Sequence, residues 1–283
     1  MTKIQAGPHS DPMTRHRGAA VVTGAARGLG LAIATALHHV GYEVMVTDSD
    51  PDAAAAAAAP LGGWSARLDV RYDQACEVAA QRAAERGGLA LWVNNASALA
   101  VGPLWTHDAG TRRRLMETNT LGVMNGTLAA LGVMRPRGRG HIVNVVSLAG
   151  LVAAPGETVY AASKHAALAF SLGTLYDLRE AGFDDVHISC VCPDGVWTAM
   201  LFDKVDDPHA APSWSGVMLQ PEEVAAEAVK LLDRPRPVLT IPRWRGWIVR
   251  GFDAFPALGE RLAPRLMAQA RKKQADWARE HRP

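Results

Sequence analysis

A tyrosine and a lysine stand four residues apart in the run Tyr160-Ala-Ala-Ser-Lys164. On a helix this spacing places both side chains on one face. An ammonium beside a phenol favours the phenolate, so it would lower the tyrosine pKa from about 10 and allow proton exchange near neutral pH. Ser147 ends an upstream β-rich run and offers a hydroxyl to a substrate oxygen, while Asn119 lies in the preceding helical stretch. The set predicts acid–base chemistry at a carbon–oxygen bond.

A glycine-rich turn follows the first apolar run and reads Thr23-Gly-Ala-Ala-Arg-Gly-Leu-Gly30. A strand before it and an apolar-periodic helix after it are typical of a phosphate site at a helix N-terminus. Gly24 would permit the sharp turn, Gly28 would let the backbone approach a pyrophosphate, and Gly30 would allow close helix packing. Some glycine-rich turns merely reverse the chain, so the prediction of a phosphate site depends on the strand before this turn and the helix after it.

Asp48 closes the second predicted strand, about 20 residues after the glycines. There a carboxylate can accept hydrogen bonds from ribose hydroxyls and would repel a 2′-phosphate, although a helix cap is the alternative role. The next four residues contain no arginine or lysine, and Arg27 is the one candidate partner for a 2′-phosphate. We therefore expect NAD, with NADP less favoured. Asp69, after the third strand, is expected at the adenine edge.

β-rich runs alternate with stretches of helical spacing from Ala19 onward, which predicts an α/β fold: a doubly wound, parallel, seven-stranded sheet with helices on both faces. The predicted strands are Ala19 to Thr23, Glu43 to Thr47, Trp64 to Leu68, Leu89 to Asn94, His141 to Ser147, Val186 to Val191 and Pro237 to Ile241. Helices are predicted to begin near Gly28, Pro51, Tyr72, His107, Glu157 and Pro221, with Met116 to Met134 continuing the fourth.

The order of these motifs resembles that of the short-chain dehydrogenase/reductase family over Gly18 to Pro242. The matching segments are TGAARGLG, the LDV at Leu68 to Val70, NNAS at Asn94 to Ser97, the Asn119 helix, Ser147, YAASK, and PDGVWT at Pro193 to Thr198. The resemblance implies a Rossmann-type fold and an NAD-dependent oxidoreductase that interconverts a secondary alcohol and a ketone by hydride transfer.

The resemblance also implies a role for each site residue. Tyr160 would be the general acid and base, Lys164 would bind the nicotinamide ribose and lower the tyrosine pKa, and Ser147 would orient the substrate oxygen. Asn119 would hold a water in a proton relay. The implied cofactor contacts are Gly24, Arg27, Gly28, Leu29, Gly30, Asp48, Asp69, Val70, Asn95, Ala96, Tyr160, Lys164, Pro193, Val196 and Thr198.

Two positions depart from the family pattern. Ser97 stands where the family's NNAG has glycine, and Asp194 stands where glycine usually follows proline. Neither change removes a catalytic group. Asp194 is expected to alter the nicotinamide pocket or its polar contacts with substrate.

Composition divides the chain into three parts: residues 1–17, expected to be a disordered tail, a catalytic domain over 18–242, and an extension over 243–283. The extension carries ten basic and four acidic residues with Trp244, Trp247 and Trp277, although the net charge is only +2. It fits an arm packed on the body or on another subunit, or peripheral contact with an anionic membrane. Nucleic-acid binding is not expected.

Ala199 to Leu219 is predicted to form a lid over a small-molecule alcohol or ketone, mainly apolar. Its apolar candidates are Met200, Leu201, Phe202, Trp214, Val217 and Met218, and its polar ones are Asp203, Lys204, Asp206, Asp207 and His209. Three cysteines fit neither a disulfide framework nor a metal site, and the N-terminus does not resemble a signal peptide, so we expect a cytoplasmic protein without a metal. The family resemblance favours a homodimer or homotetramer.

Three functions remain open. The first is hydride transfer, with NADP-dependent carbonyl reduction as its variant. The second is isomerisation of a sugar nucleotide, disfavoured because its glycine turn usually reads TGxxGxxG whereas this chain has TGxxxGxG. The third is a non-catalytic nucleotide-binding or scaffold protein, since a fold alone does not establish chemistry.

Overall fold

A computed structural model describes residues 17–280, so the predicted disordered tail, apart from Arg17, lies outside the described residues. All seven expected strands are present and form one parallel sheet in the order β3-β2-β1-β4-β5-β6-β7. The strands are β1 Ala19–Thr23, β2 Glu43–Asp48, β3 Ser65–Arg67, β4 Leu89–Asn94, β5 Gly140–Val145, β6 Val186–Pro193 and β7 Val238–Ile241. The predicted doubly wound sheet is confirmed.

Helices connect the strands and continue beyond the last one. They are α1 Gly28–His39, α2 Pro51–Ala58, α3 Asp73–Glu85, α4 Ala109–Met116, α5 Gly122–Met134, α6 Thr158–Glu180, α7 Ala199–Phe202, α8 Pro221–Asp233, α9 Arg243–Ala254 and α10 Pro256–Glu280. The strand order reverses beside β1, whose neighbours are β2 and β4. In such sheets ligands bind at this point, outside the carboxyl ends of the strands.

The sheet is buried on both faces, which explains why β1 is apolar throughout rather than alternating. Ala20 and Val22 pack into one layer with α1, α2 and α8. Ala19 and Val21 point to the other face and pack with α3, α5 and α6. The two layers hold the carboxyl ends of the strands in fixed relative positions.

Local capping explains where several helices begin. The run of alanines that starts at Ala53 lies in the short helix α2, which begins at Pro51 as predicted. The Asp50 carboxylate caps this helix by accepting from the Asp52 and Ala53 amides at 3.1 Å. A capping box starts α8, where the backbone amide of Gln220 donates to the Glu223 carboxylate at 2.8 Å.

The fourth helix continues through Met134 as expected, but its middle is irregular. Glu117–Leu121 forms a π-helical turn between α4 and α5. Such turns frequently mark functional sites. Asn119 lies inside this turn.

The extension folds into α9 and α10 and covers the segment between α7 and α8. Gln274 of α10 donates to the carbonyls of Val205 at 2.9 Å and Asp207 at 2.8 Å. Pro264 lies within α10, which begins at Pro256. None of the helices in residues 17–280 is long and apolar enough to cross a membrane.

Candidate active site

One cleft of about 1480 Å³ runs along the carboxyl ends of the strands. It is lined by every predicted cofactor-binding residue and by three of the four predicted catalytic residues. These are Gly24, Arg27, Gly28, Leu29, Gly30, Asp48, Asp69, Val70, Asn95, Ala96, Ser147, Tyr160, Lys164, Pro193, Val196 and Thr198. The fourth predicted catalytic residue, Asn119, is buried behind the cleft.

The glycine turn leaves β1 and forms the floor at one end of the cleft. Gly24 adopts a φ of +60°, and a Cβ there would lie 2.8 Å from the Ala96 Cα. A Cβ on Gly30 would overlap the Gly24 carbonyl oxygen. Asn95 braces the turn by donating to the carbonyls of Thr23 at 3.0 Å and Gly24 at 2.9 Å. The turn is therefore held with its backbone facing the cleft.

Carboxylates stand at the ends of the next two strands. Asp48, at the end of β2, accepts from the amides of Ala26 at 3.2 Å and Asp50 at 3.3 Å. Asp69 is clasped by Arg71, whose Nη2 and Nε lie 2.6 and 2.9 Å from its oxygens. The side-chain hydrogen bond from Arg71 lowers the pKa of Asp69. Arg71 also lines the cleft, and it was not among the predicted site residues although it follows Asp69 by two residues.

Tyr160 lines the cleft close to Ser147, at the end of the cleft away from the glycine turn. Burial raises the pKa of the phenol, and the negative charge of Glu157 raises it further. Hydrogen bonds with the hydroxyls of Ser147 and Ser97 lower the pKa but do not reverse the shift. The direction is opposite to the lowering expected from Lys164, because desolvation by burial is the largest influence on the phenol.

Lys164 lies one helical turn after Tyr160 on α6, as the spacing predicted. The side chain is 1% exposed, and its Nζ donates to the Val145 carbonyl at 3.1 Å. The Nζ lies 5.6 Å from the centre of the Tyr160 ring. Burial lowers the pKa of Lys164 to about 8. At neutral pH the amine is still mainly protonated.

Asn119 uses its whole side chain to fix the loop after β4. Its Nδ2 donates to the Ala98 carbonyl at 2.9 Å and to Ser163 Oγ at 3.0 Å. Its Oδ1 accepts from the Ala98 amide at 2.7 Å and from Ser97 Oγ at 3.1 Å. Ser97, one of the two departures from the family pattern, therefore stands between Asn119 and the Tyr160 phenol.

Glu157 is a buried carboxyl in the cleft wall that the sequence analysis did not include in the site. Its Oε1 accepts from Ser213 Oγ at 2.7 Å, and burial raises its pKa to about 7. Its position three residues before Tyr160 was a usable signal, because this spacing brings side chains together on a helix. Ser213 carries no comparable signal, since it lies 56 residues away.

Comparison with known proteins places this arrangement in a family. Residues 18–209 match the family model described as short chain dehydrogenase. The chain belongs to the short-chain dehydrogenases. It is accordingly an NAD(P)-dependent dehydrogenase/reductase of the class that acts on CH–OH groups.

A solved short-chain dehydrogenase/reductase from Burkholderia phymatum, in complex with NAD, is 29% identical, with a TM-score of 0.72 over 81% of this chain and 90% of that one. The maize sex determination protein tasselseed-2 is 35% identical over 67% of this chain, and the chain spans 58% of its length. The 1-deoxy-11-beta-hydroxypentalenate dehydrogenase of Streptomyces exfoliatus is 35% identical over 65% of this chain and 69% of its own length.

Asp194, the second departure from the short-chain dehydrogenase pattern, is tied to the extension. Its Oδ2 accepts from the Val217 amide at 2.9 Å and from Arg245 Nε at 3.1 Å. The side chains of Asp194 and Arg245 are 6% and 16% exposed. Arg245 also donates to Ser215 Oγ at 3.3 Å. The loop after β6, the lid and α9 of this short-chain dehydrogenase thus share one buried ion pair.

The lid contributes fewer cleft residues than predicted. Of the named candidates, Met200, Leu201, Asp203 and Lys204 line the cleft as expected, and the other seven do not. Four further lid residues line it as well, namely Ala199, Pro212, Ser213 and Ser215. Trp214 is instead buried in a separate small core with Leu201 and Ala210, because α10 covers the lid from outside. The extension supplies the apolar wall instead, through Ile248, Val249, Phe252, Ala263, Leu266 and Met267.

Proposed function

We propose that the protein interconverts a secondary alcohol and a ketone with NAD, using Tyr160 as general acid and base. One observation carries the proposal. A single cleft is lined by the glycine turn and Asp48 at one end and by Ser147, Tyr160 and Lys164 at the other. A dinucleotide needs such a continuous path, because its phosphates must reach the helix N-terminus while its reactive ring reaches the proton-transfer group.

When bound in the cleft, the cofactor would supply hydride-transfer chemistry to the carbon that carries the oxygen. The residues of the chain manage the proton and the charge on that oxygen. Tyr160 exchanges the proton, and Ser147 donates a hydrogen bond to the same oxygen, so that developing negative charge is shared between two hydroxyls. Lys164 is proposed to bind a ribose hydroxyl.

Without cofactor the raised pKa keeps Tyr160 protonated. A protonated phenol is the form that delivers a proton to a ketone. For alcohol oxidation the phenol must become a base, which needs the combined positive charge of Lys164 and the oxidised ring nearby. Because the pKa of Tyr160 is raised in the protein without cofactor, conversion of the phenol to a base depends more strongly on these positive charges.

Asn119 is proposed to hold a water of the proton relay. Its side chain already makes four hydrogen bonds, so that role belongs to its backbone in the π-helical turn. The side chain then has a positioning function, since it fixes the Ser97 hydroxyl that faces Tyr160.

NAD is the proposed cofactor because Asp48 ends β2 where the ribose of the adenosine is expected. The alternative is an NADP-dependent carbonyl reductase. It gains support from two cations that line the cleft, Arg27 and Arg71, although Arg71 is paired with Asp69. Titration with NADH and NADPH by fluorescence separates them: tighter NADPH binding would contradict the NAD proposal.

The substrate is proposed to be a mainly apolar alcohol or ketone, because apolar residues of the extension line the same cleft as Tyr160. The protein is proposed to act as a homodimer or homotetramer. Leu128 and Tyr176, on α5 and α6, are large side chains exposed to solvent, as expected of residues at a subunit interface. A cytoplasmic location is proposed because Cys76, Cys190 and Cys192 are free and buried, which fits a reducing compartment.

A substrate screen tests the proposed reaction. Secondary alcohols are offered with NAD and ketones with NADH, and the NADH absorbance is followed over time. We expect turnover on apolar members of the panel. Nucleotide binding without turnover on any of them would favour the non-catalytic scaffold function instead.

A further inference from the structure

The two helices of the extension differ in what they present on each side. Their inner residues pack on the body: Gly246 and Val249 of α9 and Ala270 and Gln274 of α10 are buried. The outer residues include four of the large apolar side chains that are exposed in residues 17–280 and do not line the cleft. These are Trp244, Trp247, Phe255 and Leu258, defined here as the aromatic face.

The aromatic face is concentrated on α9 and the start of α10. Trp247 is 77% exposed and Phe255 is 65% exposed. The three-residue spacing of Trp244 and Trp247 places them on one side of α9, away from the buried Val249, and Phe255 is exposed where α9 ends. Large apolar side chains grouped in this way, rather than scattered, mark an interaction surface.

Cations border the aromatic face. Arg243 and Arg250 are exposed four residues before and three residues after Trp247, so they flank it on the helix surface. Arg261, Arg265 and Lys272 are exposed on the outer side of α10. Two of the acidic residues of the extension, Asp253 and Glu260, instead line the cleft. The outer side is therefore aromatic and basic together.

We propose that the aromatic face attaches the protein to an anionic lipid surface. Tryptophan and phenylalanine sit well at the boundary between headgroups and acyl chains, and neighbouring arginines are attracted to anionic headgroups. A second copy of the chain fits this surface less well. A two-fold contact would bring Arg243 and Arg250 of one copy against the same basic patch of the other.

The cleft gives this attachment a consequence. Ile248, Phe252 and Leu266 line the cleft from the same two helices that carry the aromatic face. Attachment through the face would place the apolar wall of the cleft beside the lipid, where apolar molecules concentrate. The attachment itself depends only on the outer face, so it stands or fails independently of the proposed reaction.

Vesicle sedimentation of the intact chain tests the proposal. The probes are vesicles of phosphatidylcholine alone and vesicles with about a third phosphatidylserine, a composition that attracts basic segments. We expect sedimentation with the anionic vesicles and much less with the neutral ones. Absence of the intact chain from the pellet with both would overturn the proposal.

Paired substitutions locate the contact. Trp247→Ser with Phe255→Ser should reduce the bound fraction at least about fivefold, because apolar burial and charge act together in such binding. Arg261→Gln with Arg265→Gln should weaken binding to the anionic vesicles and leave any binding to the neutral vesicles unchanged. The control is Trp105→Ser, because Trp105 is 88% exposed on the segment before α4. Unchanged binding in the tryptophan–phenylalanine variant would contradict the proposed face.

Sedimentation velocity without lipid tests whether a second copy of the chain, rather than lipid, covers the aromatic face. If the intact chain associates through this face, the tryptophan–phenylalanine variant will sediment as a smaller species than the parent. That result would replace the lipid with a second copy. An unchanged assembly state in the variant, with vesicle binding lost, supports the lipid surface.

Discussion

Arg245 Nε lies 3.1 Å from Asp194 Oδ2, and this ion pair joins the extension to the loop that follows β6. Asp194 receives a further hydrogen bond from the Val217 amide. The position that departs from the family's usual glycine is therefore satisfied by a residue outside the segment that matches the family model, which ends at residue 209. The short-chain dehydrogenase body and its extension form one structural unit at the site.

Removal of one partner of this pair should be costly. Arg245→Met leaves the Asp194 carboxylate buried without its cation, so we expect a loss of about 3 kcal/mol in the free energy of unfolding. Asp194→Asn combined with Arg245→Met should cost less than the sum of the single changes. Urea unfolding measures all three variants. Lys230→Met breaks the exposed Lys230–Glu227 pair and should change stability little; an equal loss there would argue against a special role for the buried pair.

Tyr160→Phe should remove turnover by at least about a hundredfold while cofactor binding is retained, because the ring remains and only the exchangeable proton is lost. Turnover is measured with the substrate found in the screen, and binding by NADH fluorescence. Tyr72→Phe is the control, since that tyrosine is exposed and does not line the cleft. Normal turnover in the Tyr160 variant would refute the proposed acid–base role.

Asp48→Ala should relax the preference against NADP, because the carboxylate that repels a 2′-phosphate is removed. The ratio of the dissociation constants for NADPH and NADH is expected to fall. Asp52→Ala is the control, since Asp52 is exposed on α2 and lies four residues later. A ratio that falls equally in both variants would point to general charge rather than to Asp48.

Glu157 should make stability depend on pH. Its pKa is raised from 4.5 to about 7 in the folded protein, so the folded state keeps a proton that the unfolded chain releases in this window. Stability should therefore fall as pH rises from about 4.5 to about 7, by on the order of 3 kcal/mol in total. In Glu157→Gln that fall should disappear.

Thermal or urea unfolding at several pH values between about 4.5 and 8 measures the effect of Glu157. The glutamine can still accept a hydrogen bond from Ser213, so the lid contact is preserved while the ionisation is removed. Glu77→Gln serves as the exposed control. If the parent and Glu157→Gln show parallel profiles, another group is responsible for the pH dependence.

Gly30→Ala should destabilise the fold and weaken cofactor binding, because the new methyl group would overlap the Gly24 carbonyl in the turn. We expect a loss of about 1 to 3 kcal/mol in unfolding free energy. Gly132→Ala tests the same change in a helix where no other atom lies within 4 Å of the new Cβ. It should be neutral or stabilising by up to about 1 kcal/mol. Equal losses at both positions would exclude the steric explanation.

Local patterns in the sequence were sufficient for the architecture. Strands with apolar runs, helices with periodic apolar residues, and turns marked by glycine or proline each depend on neighbours within a few residues. The same range covers the glycine turn and the four-residue spacing of Tyr160 and Lys164. These features were predicted, and the structure places both of them on one cleft.

The sequence alone also determined that the motifs of the short-chain dehydrogenases occur in the family's order. Only the tertiary structure decided how those residues are tuned. Burial is a property of the whole packed chain, and it raises the pKa of Tyr160 where the adjacent lysine suggested the reverse. The bonds of Glu157 to Ser213 and of Asp194 to Arg245 join residues 56 and 51 positions apart, a range over which no local pattern specifies a partner. Long-range packing also decided the position of Trp214, which is buried in a small core rather than in the cleft. The apolar wall of the cleft comes instead from the extension, which is distant in sequence from the predicted lid.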